Sequence, residues 1–519
     1  MMKFNFIKNV KKKEFIEIIT LLVITIFFCF KPSVAYNEMF VIPYAKVTFN
    51  NTLSAIQNFE MPSQLIFNFI VGFFAVNFSI IKVIFIGRIL SYILLIISYV
   101  RLAKSIGLNI LMTVSSYIIF LFYFRHGIGD AGEWFVGGLE TKVFAYCFVL
   151  LSLSSFIRND IKWGMIYSGL SLSFHLLVGG YHLFCLIPFF VITQSIDKNF
   201  FIKLLKLIPY FLISGFLGLI EVFSSSFLSD QSGIEKVGWD IYVNVRVPHH
   251  TVPEFSIKTW LILNIFTVIN IIFLKSKNQT KRYLSSYSLF SVVILLIGLL
   301  IYYNFDSHYL RYYFFRSSDV MLPLITILLF ASINRKIQYI FLLIIGINIL
   351  PSVIHRISSI SSQIINPKSY NIKEIKNNTS RPGKFNDIKM SYWIKKNLKK
   401  ESDFIIPPDD LYFWLNTEKS IFVSWCVLPN QEKYKTIKNL PLDMIEWYER
   451  LKLINKDNDF NTLDEVKHNY ITLNEKEILF INKNYPKYNH ILMPNNNRLD
   501  FPIIHSTDIS TLYEITTEK

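Results

Sequence analysis

What most constrains this chain is a succession of long apolar runs separated by short basic loops, from the N-terminus to about residue 355. Roughly 20 apolar residues cross a bilayer core as a helix, so the pattern predicts a mainly α, polytopic membrane protein rather than a soluble domain. Hydrophobic residues make up 52% of the 519 positions, and the 48 Phe and 28 Tyr suit lipid-facing surfaces and interfacial belts. The runs predict about eleven crossings, at 14–32, 80–100, 108–124, 141–157, 162–178, 181–195, 204–223, 258–274, 284–303, 319–333 and 337–355. A further apolar stretch, 64–78, is expected to lie along or re-enter the membrane.

The formal charge of +16 does not imply nucleic acid, because the cations fall in loops between apolar runs. Arg101, Lys104, Arg158, Lys162, Lys198, Lys203, Lys206, Lys275, Lys277, Lys281, Arg282, Arg335 and Lys336 mark the cytoplasmic side. Five lysines between Lys3 and Lys13 precede a run long enough for a retained signal anchor, which puts the N-terminus in the cytoplasm. An odd number of crossings then places the C-terminal tail outside it, in a multi-pass protein of the inner (cytoplasmic) membrane. The four cysteines form neither a disulfide framework nor a metal-ligand spacing.

Composition changes beyond the last run. A multi-pass domain over 1–360 gives way to a linker at 361–385, rich in Asn, Lys, Ser and Pro, and then to a soluble α/β domain over 386–519. Helical periodicity marks 387–400, 442–454 and 475–484, and strands are expected at 404–406, 420–425, 490–493 and 512–515. No internal repeat, phosphate-binding loop or dinucleotide fingerprint occurs. The polar residues of this domain suggest solvated turns and a structural helix face, Trp447-Tyr448-Glu449-Arg450.

On this topology four loops share the outer side: 33–63, 125–140, 224–257 and 304–318. The first holds Asn37, Glu38 and Glu60, two carboxylates where a base acting on a lipid-linked substrate would sit. The second runs through Glu133-Trp134 to Glu140-Thr141-Lys142, with glycines that allow close backbone approach. The third reads Arg246-Val247-Pro248-His249-His250, where an arginine and imidazole donors suit phosphate better than zinc. Its prolines are expected to hold it extended, with His249 and His250 pointing apart. The fourth carries Arg311 and Arg316 among aromatics, with Asp319 one turn beyond Arg316. Each has a plainer account: snorkelling charges, a proline-stiffened loop, an Arg316–Asp319 ion pair. Within the spans, His175 suits either a packed hydrogen-bonded group or a ligand, and mid-span Arg88 requires an acidic or carbonyl partner.

This layout resembles the GT-C superfamily of membrane glycosyltransferases. Several branches of it carry Asp-Glu in the first outer loop with Tyr-Ala a few residues on; here Asn37-Glu38 and Tyr44-Ala45 stand at those places. Asn37 departs from the pattern, since the aspartate is the usual candidate base. Glu133-Trp134, Gly138-Leu139-Glu140-Thr141-Lys142, Arg246-Val247-Pro248-His249-His250, Phe315-Arg316, Val423-Ser424-Trp425 and Trp447-Tyr448-Glu449-Arg450 also look like an uncharacterised bacterial membrane-protein family of the same architecture. The resemblance implies a polyprenyl-phosphate sugar donor, an extracytoplasmic acceptor and inversion at the anomeric carbon. Glu38 or Glu60 would be the base. Lys142, Arg246, His249 and Arg316 would hold the leaving phosphate, with Glu133, Glu140, His175, His250 and Arg311 as further substrate contacts. GT-C enzymes differ in metal use, and no divalent-metal site or other cofactor is visible in this sequence. Two other functions fit the same residues: a transporter or flippase of a lipid-linked solute, and a catalytically silent assembly factor of GT-C architecture.

Overall fold

Wherever they are described, the apolar runs form helices, and their small residues set how closely the helices pack. The structure, a computed structural model, describes residues 12–30, 34–35, 37–57, 64–129, 131–193, 198–227, 233–253, 256–333, scattered positions between 339 and 358, 387–399, 401–426 and 440–516. The chain begins with α1 (Lys12–Cys29), α2 (Glu38–Gln57), α3 (Leu65–Asn77), α4 (Ile80–Ser105) and α5 (Ile110–Ile119), which a π turn at Phe120–Phe124 extends. Next come α6 (Thr141–Ile157), α7 (Ile161–Phe174), α8 (Leu176–Thr193) and α9 (Lys198–Phe227). A shorter group follows: α10 (Gly233–Ile241), a π turn at Tyr242–Arg246 and the single turn α11 (Pro248–Thr251). Then α12 (Ile257–Leu274) and α13 (Gln279–Asn304) lead through a 3-10 turn at Ser307–Tyr312 to α14 (Arg316–Ala331).

Five described stretches are long and apolar enough to cross a membrane: Ile80–Ser105, Leu205–Phe223, Ile257–Leu274, Gln279–Asn304 and Ser307–Ala331. The expected eleven crossings are therefore not matched among the described residues. Leu65–Asn77, Ile110–Phe124, Thr141–Ile157 and Leu176–Val191 are apolar but shorter, and most of 337–355 lies outside the described residues. Ile213, Leu261, Ile272 and Leu300 are more than half exposed on the long helices, as lipid-facing side chains would be. Where α7 meets α9 the contact is built from small residues. A Cβ on Gly169 would collide with Ser214 and the Phe211 carbonyl, one on Gly218 with the Leu172 carbonyl, and Ser173 Oγ donates to the Ser214 carbonyl at 2.8 Å. Close backbone approach of this kind is how helices pack where lipid supplies no hydrophobic drive between them.

Two expectations about loops are corrected. The segment after α1 is not an open loop, because Glu38 is the first residue of α2. Met39, Ile42, Ala45 and Thr48, three residues apart, form one buried face of that helix. Pro43 and the polar Lys46, Asn50 and Asn51 obscure this face in the sequence. The segment after the second π turn is not extended either. Pro248 starts a helical turn, where its missing N–H costs nothing and its fixed φ suits the helix.

The C-terminal part carries α15 (Ile388–Asn397), α16 (Leu411–Thr417), α17 (Leu440–Ile454), α18 (Leu463–Tyr470) and α19 (Glu475–Asn484). They surround a five-stranded sheet of order β2-β1-β3-β5-β4, comprising β1 (Asp403–Ile405), β2 (Ser420–Ile421), β3 (His490–Pro494), β4 (Ile503–Ser506) and β5 (Ser510–Glu514). β2, β1 and β3 run parallel, and β5 is antiparallel to both β3 and β4. Strand alternation divides its core in two. Ile405, Ile491, Met493 and Tyr513 join Trp447 on one side, while Phe404, Leu492 and Leu512 join Phe413 on the other. Helices from the first part cover both sides. Met39 of α2 enters the Phe404 cluster, and Ile241, Tyr242 and Val245 pack on the Trp447 cluster. Gly238 lies so close to Pro441 that a Cβ there would overlap its carbonyl.

Candidate functional site

Arginine on α4 and glutamate on α2 meet first. Arg88 Nε donates to Glu38 Oε1 at 2.7 Å, and Arg88 Nη2 donates to Glu38 Oε2. Main-chain N–H groups of Leu139 and Ala35 add bonds to Oε1 and Oε2, each at 2.7 Å. Both side chains are fully buried. Glu38 is thus a saturated, bidentate partner of Arg88, fixing the loop before α6 to the start of α2. The surface carboxylate expected there is not what the structure presents. Glu60 lies outside the described residues.

Beside this pair lies a second charged group, on the loop leading into α6. Lys142 Nζ is 2.7 Å from Glu133 Oε1 and 3.0 Å from Glu140 Oε2, and Arg316 Nε is 2.8 Å from Glu133 Oε2. Aromatic faces hold both cations from the other side. Lys142 Nζ is 4.4 Å from the Trp134 ring centre and the Arg316 guanidinium 4.0 Å from that of Tyr313. Tyr313 has φ +54°, a left-handed turn that ends the 3-10 segment and lays its ring under Arg316. Tyr313 and Tyr242 share a hydroxyl–hydroxyl bond, and His250 sets its ring edge-on to Tyr313.

The histidines do not point apart: the ring centres of His249 and His250 are 4.1 Å apart. His250 Nδ1 pairs with the Ala131 carbonyl, and a Cβ on Gly132 would lie 3.4 Å from the His249 ring. The loop 125–140 is pinned in turn to α14. Gly129 N donates to Asp319 Oδ1 at 2.9 Å and Ile128 N to the Asp319 carbonyl at 3.0 Å. Asp319 therefore orders this loop, while Arg316 reaches the more distant Glu133. His175 ends α7, within electrostatic reach of Arg316, Glu133 and Lys142.

Burial and charge act on these groups in opposite directions. Burial alone would raise the Glu133 pKa, but the Arg316 and Lys142 charges overcome it and hold the group at about 2. Burial raises the Glu140 pKa above its ordinary value, with Lys142 and the Asn37 amide opposing and Glu133 assisting. Burial and then the Arg316 charge push His249 down, and the same two causes push His250 to about 2. Both imidazoles are neutral beside two cations.

Of the sequence candidates, Glu133, Glu140, Lys142, His175, His249, His250 and Arg316 come together, with Glu38 one loop away. Two do not join them. Arg246 donates to the Trp425 and Cys426 carbonyls at 2.5 and 2.8 Å and lies 5.0 Å from the Trp447 ring centre, so it clamps the C-terminal part. Arg311 stacks on Trp239 and Tyr312. Among residues the sequence did not single out, Tyr313 is structurally central; only its place in an Arg-aromatic run hinted at this. Behind Arg316 a small cavity of about 10 Å³ is lined by Tyr146, Tyr181, His182, Tyr287 and Ser317. That is room for about one water. His182 there bonds Tyr287 at 2.9 Å, Ser152 at 3.0 Å and Ser168 at 3.1 Å, a satisfied polar knot between helices. Among the described residues, no three His, Cys, Asp or Glu side chains form a group that could hold a metal ion. No protein-family model, curated protein or solved structure matches this chain.

Proposed function

We propose that the chain is an integral membrane glycosyltransferase that moves a sugar from a polyprenyl-phosphate donor to an extracytoplasmic acceptor, with inversion. One observation carries this reading. Loops far apart in sequence bring Lys142 and Arg316 to one buried point, with Glu133 holding both cations and His249 beside them. As the donor bond breaks, negative charge gathers on the leaving phosphate. Cations already oriented by Glu133, Trp134 and Tyr313 would meet that charge without reorganising, which is where electrostatic catalysis gains most. Neutral His249 and His250 would supply hydrogen bonds rather than charge. The cavity behind Arg316 is far smaller than a sugar, so the donor would have to reach Lys142 and Arg316 from outside that cavity.

The test uses the full chain in lipid nanodiscs with radiolabelled polyprenyl-phosphate sugars and a panel of hydroxyl acceptors. Wild type is expected to transfer label. Arg316→Lys keeps the charge, loses the guanidinium fork and should lower kcat by about 100-fold, whereas Arg311→Lys, outside the cluster, should stay within about threefold. Release of no sugar from any donor would sink the reading. Uptake of an intact donor into vesicles would replace it with transport.

A further inference from the structure

Three glutamates surround the start of α6, and they differ in how much of each carboxylate is in use. An ionised carboxylate has about four acceptor positions. Glu38 fills them with two nitrogens of Arg88 and the main-chain N–H groups of Ala35 and Leu139. Glu133 gives one oxygen to each of two cations. Glu140 engages Lys142 through Oε2, and the Asn37 amide also bears on the carboxylate. Its Oε1 has no hydrogen-bond partner, although the residue is only 7% exposed. Glu140 also precedes the first turn of α6 without capping it, so its side chain is not spent on the helix end. A buried acceptor left empty is costly, and a proton or a hydroxyl hydrogen would satisfy it.

We propose that Glu140 is the proton acceptor of this site, taking up and releasing a proton on Oε1. Lys142, Glu133 and Asn37 face it directly; Arg316 stands behind Glu133, and the Glu38–Arg88 pair lies behind Leu139. Burial and the Glu133 charge favour the neutral acid, while Lys142 and Asn37 keep the anion accessible. The chemical step rests on the glycosyl-transfer reading; the protonation does not. In that step the acceptor hydroxyl oxygen bonds to the anomeric carbon as its hydrogen passes to Glu140 Oε1. The bond from that carbon to the phosphate oxygen breaks, and its electron pair leaves with the polyprenyl phosphate near Lys142 and Arg316.

The experiment combines infrared titration with the transfer assay on wild type, Glu140→Gln, Glu140→Asp and Glu133→Gln in nanodiscs. A protonated-carboxyl band titrating above the usual carboxylate range is expected in wild type. Its Glu140 component should be lost in Glu140→Gln, as read in the wild type minus Glu140→Gln difference spectrum, and persist in Glu133→Gln. Glu140→Gln should lower kcat by at least about 100-fold with the donor KM within about threefold, and Glu140→Asp should keep part of the rate. The Asp variant, which retains the acid, decides the matter if the Gln variant does not fold. A wild type minus Glu140→Gln difference spectrum with no protonated-carboxyl intensity overturns the proposal, and so does a Glu140→Gln rate within about tenfold of wild type. A Glu140 band in a protein that cleaves no donor upholds the proton site and overturns the transfer reading alone.

Discussion

Two buried charge clusters flank the loop before α6, and they are built on opposite plans. Glu38 and Arg88 are one acid and one base, both essentially inaccessible, with every acceptor position of the acid in use. Glu133, Glu140, Lys142 and Arg316 are two acids and two bases, braced by Trp134 and Tyr313; neither Glu133 Oε2 nor Glu140 Oε1 has a hydrogen-bond partner, but Glu133 Oε2 lies in the Arg316 ion pair. The first has nothing left to offer a ligand, and its energetic weight is structural. The second keeps its cations oriented and still has capacity to exchange a proton. A buried carboxylate is therefore judged by its unused acceptor positions, not by its mere presence in a polar loop.

The comparison breaks most readily at Arg88. Arg88→Met leaves the Glu38 charge buried without its partner, a change that costs about 3–5 kcal/mol. Thermal unfolding in nanodiscs should show a large loss, and the double variant Arg88→Met/Glu38→Gln should recover part of it. A loss under about 1 kcal/mol would mean that Glu38 finds water or another donor, and the contrast between the clusters would fall.

Glu133→Gln tests the second cluster, with a smaller expected loss of about 2 kcal/mol, because Lys142 keeps Glu140 and Arg316 keeps Tyr313. Its pH dependence is the sharper readout. The folded-state pKa of about 2 lies below the ordinary 4.5, so the carboxylate's contribution is fully present above pH 4.5. It is lost as pH falls from there towards 2, by on the order of 3 kcal/mol. Wild type should destabilise over that window and Glu133→Gln should do so less; parallel acid limbs would show that Glu133 is not ionised in the folded protein.

A glycine between the clusters gives a finer test. A Cβ on Gly138 would lie 3.1 Å from Glu38 Oε1 and 3.3 Å from Ala35 Cβ, whereas Gly180 has open space around it. Gly138→Ala should cost about 1 kcal/mol by pressing on the Glu38–Arg88 pair. Gly180→Ala, inside α8, should be neutral or stabilising by up to about 1 kcal/mol. Equal effects would show that the loop before α6 yields without disturbing Glu38.

Much of this arrangement could be read in the sequence, and the omissions share a cause. Apolar periodicity marked α4, α6, α12 and α13 and the strands around Phe404, Ile491 and Leu512, because each is patterned by what it buries. It passed over α2, where Pro43 and two asparagines mask a buried face, and β4, whose residues are largely exposed. Charge in loops singles out Glu133, Glu140, Lys142 and Arg316, and these four side chains lie together. Pairing was not legible. Arg88 needed an acid, yet nothing local named Glu38, 50 positions away. Arg316 has an acid one turn ahead and binds Glu133 instead, while Asp319 accepts from the main chain of the loop it anchors. Long-range pairing depends on the helix packing, which periodicity in one segment does not encode.

The smallest expected effect comes from a third ion pair, between α2 and the C-terminal part. Lys46 Nζ is 2.8 Å from Glu418 Oε2, and Lys395 approaches the other oxygen at 3.2 Å, so two cations share one carboxylate at that boundary. It is also wet: the Lys46 and Glu418 side chains are 25% and 39% exposed. Solvent screens such pairs, and ordering two long side chains offsets much of the attraction, so Lys46→Ala should cost under about 1 kcal/mol. The same boundary buries Met39 inside the Phe404 cluster and holds Arg246, half-buried, against the Trp425 and Cys426 carbonyls through two bonds from one rigid guanidinium. Hydrogen exchange in β1 and β3 should accordingly change little in Lys46→Ala and rise clearly in Arg246→Ala. The reverse order would mean that the C-terminal part is held by exposed charge, and that burial does not separate structural ion pairs from dispensable ones in this protein.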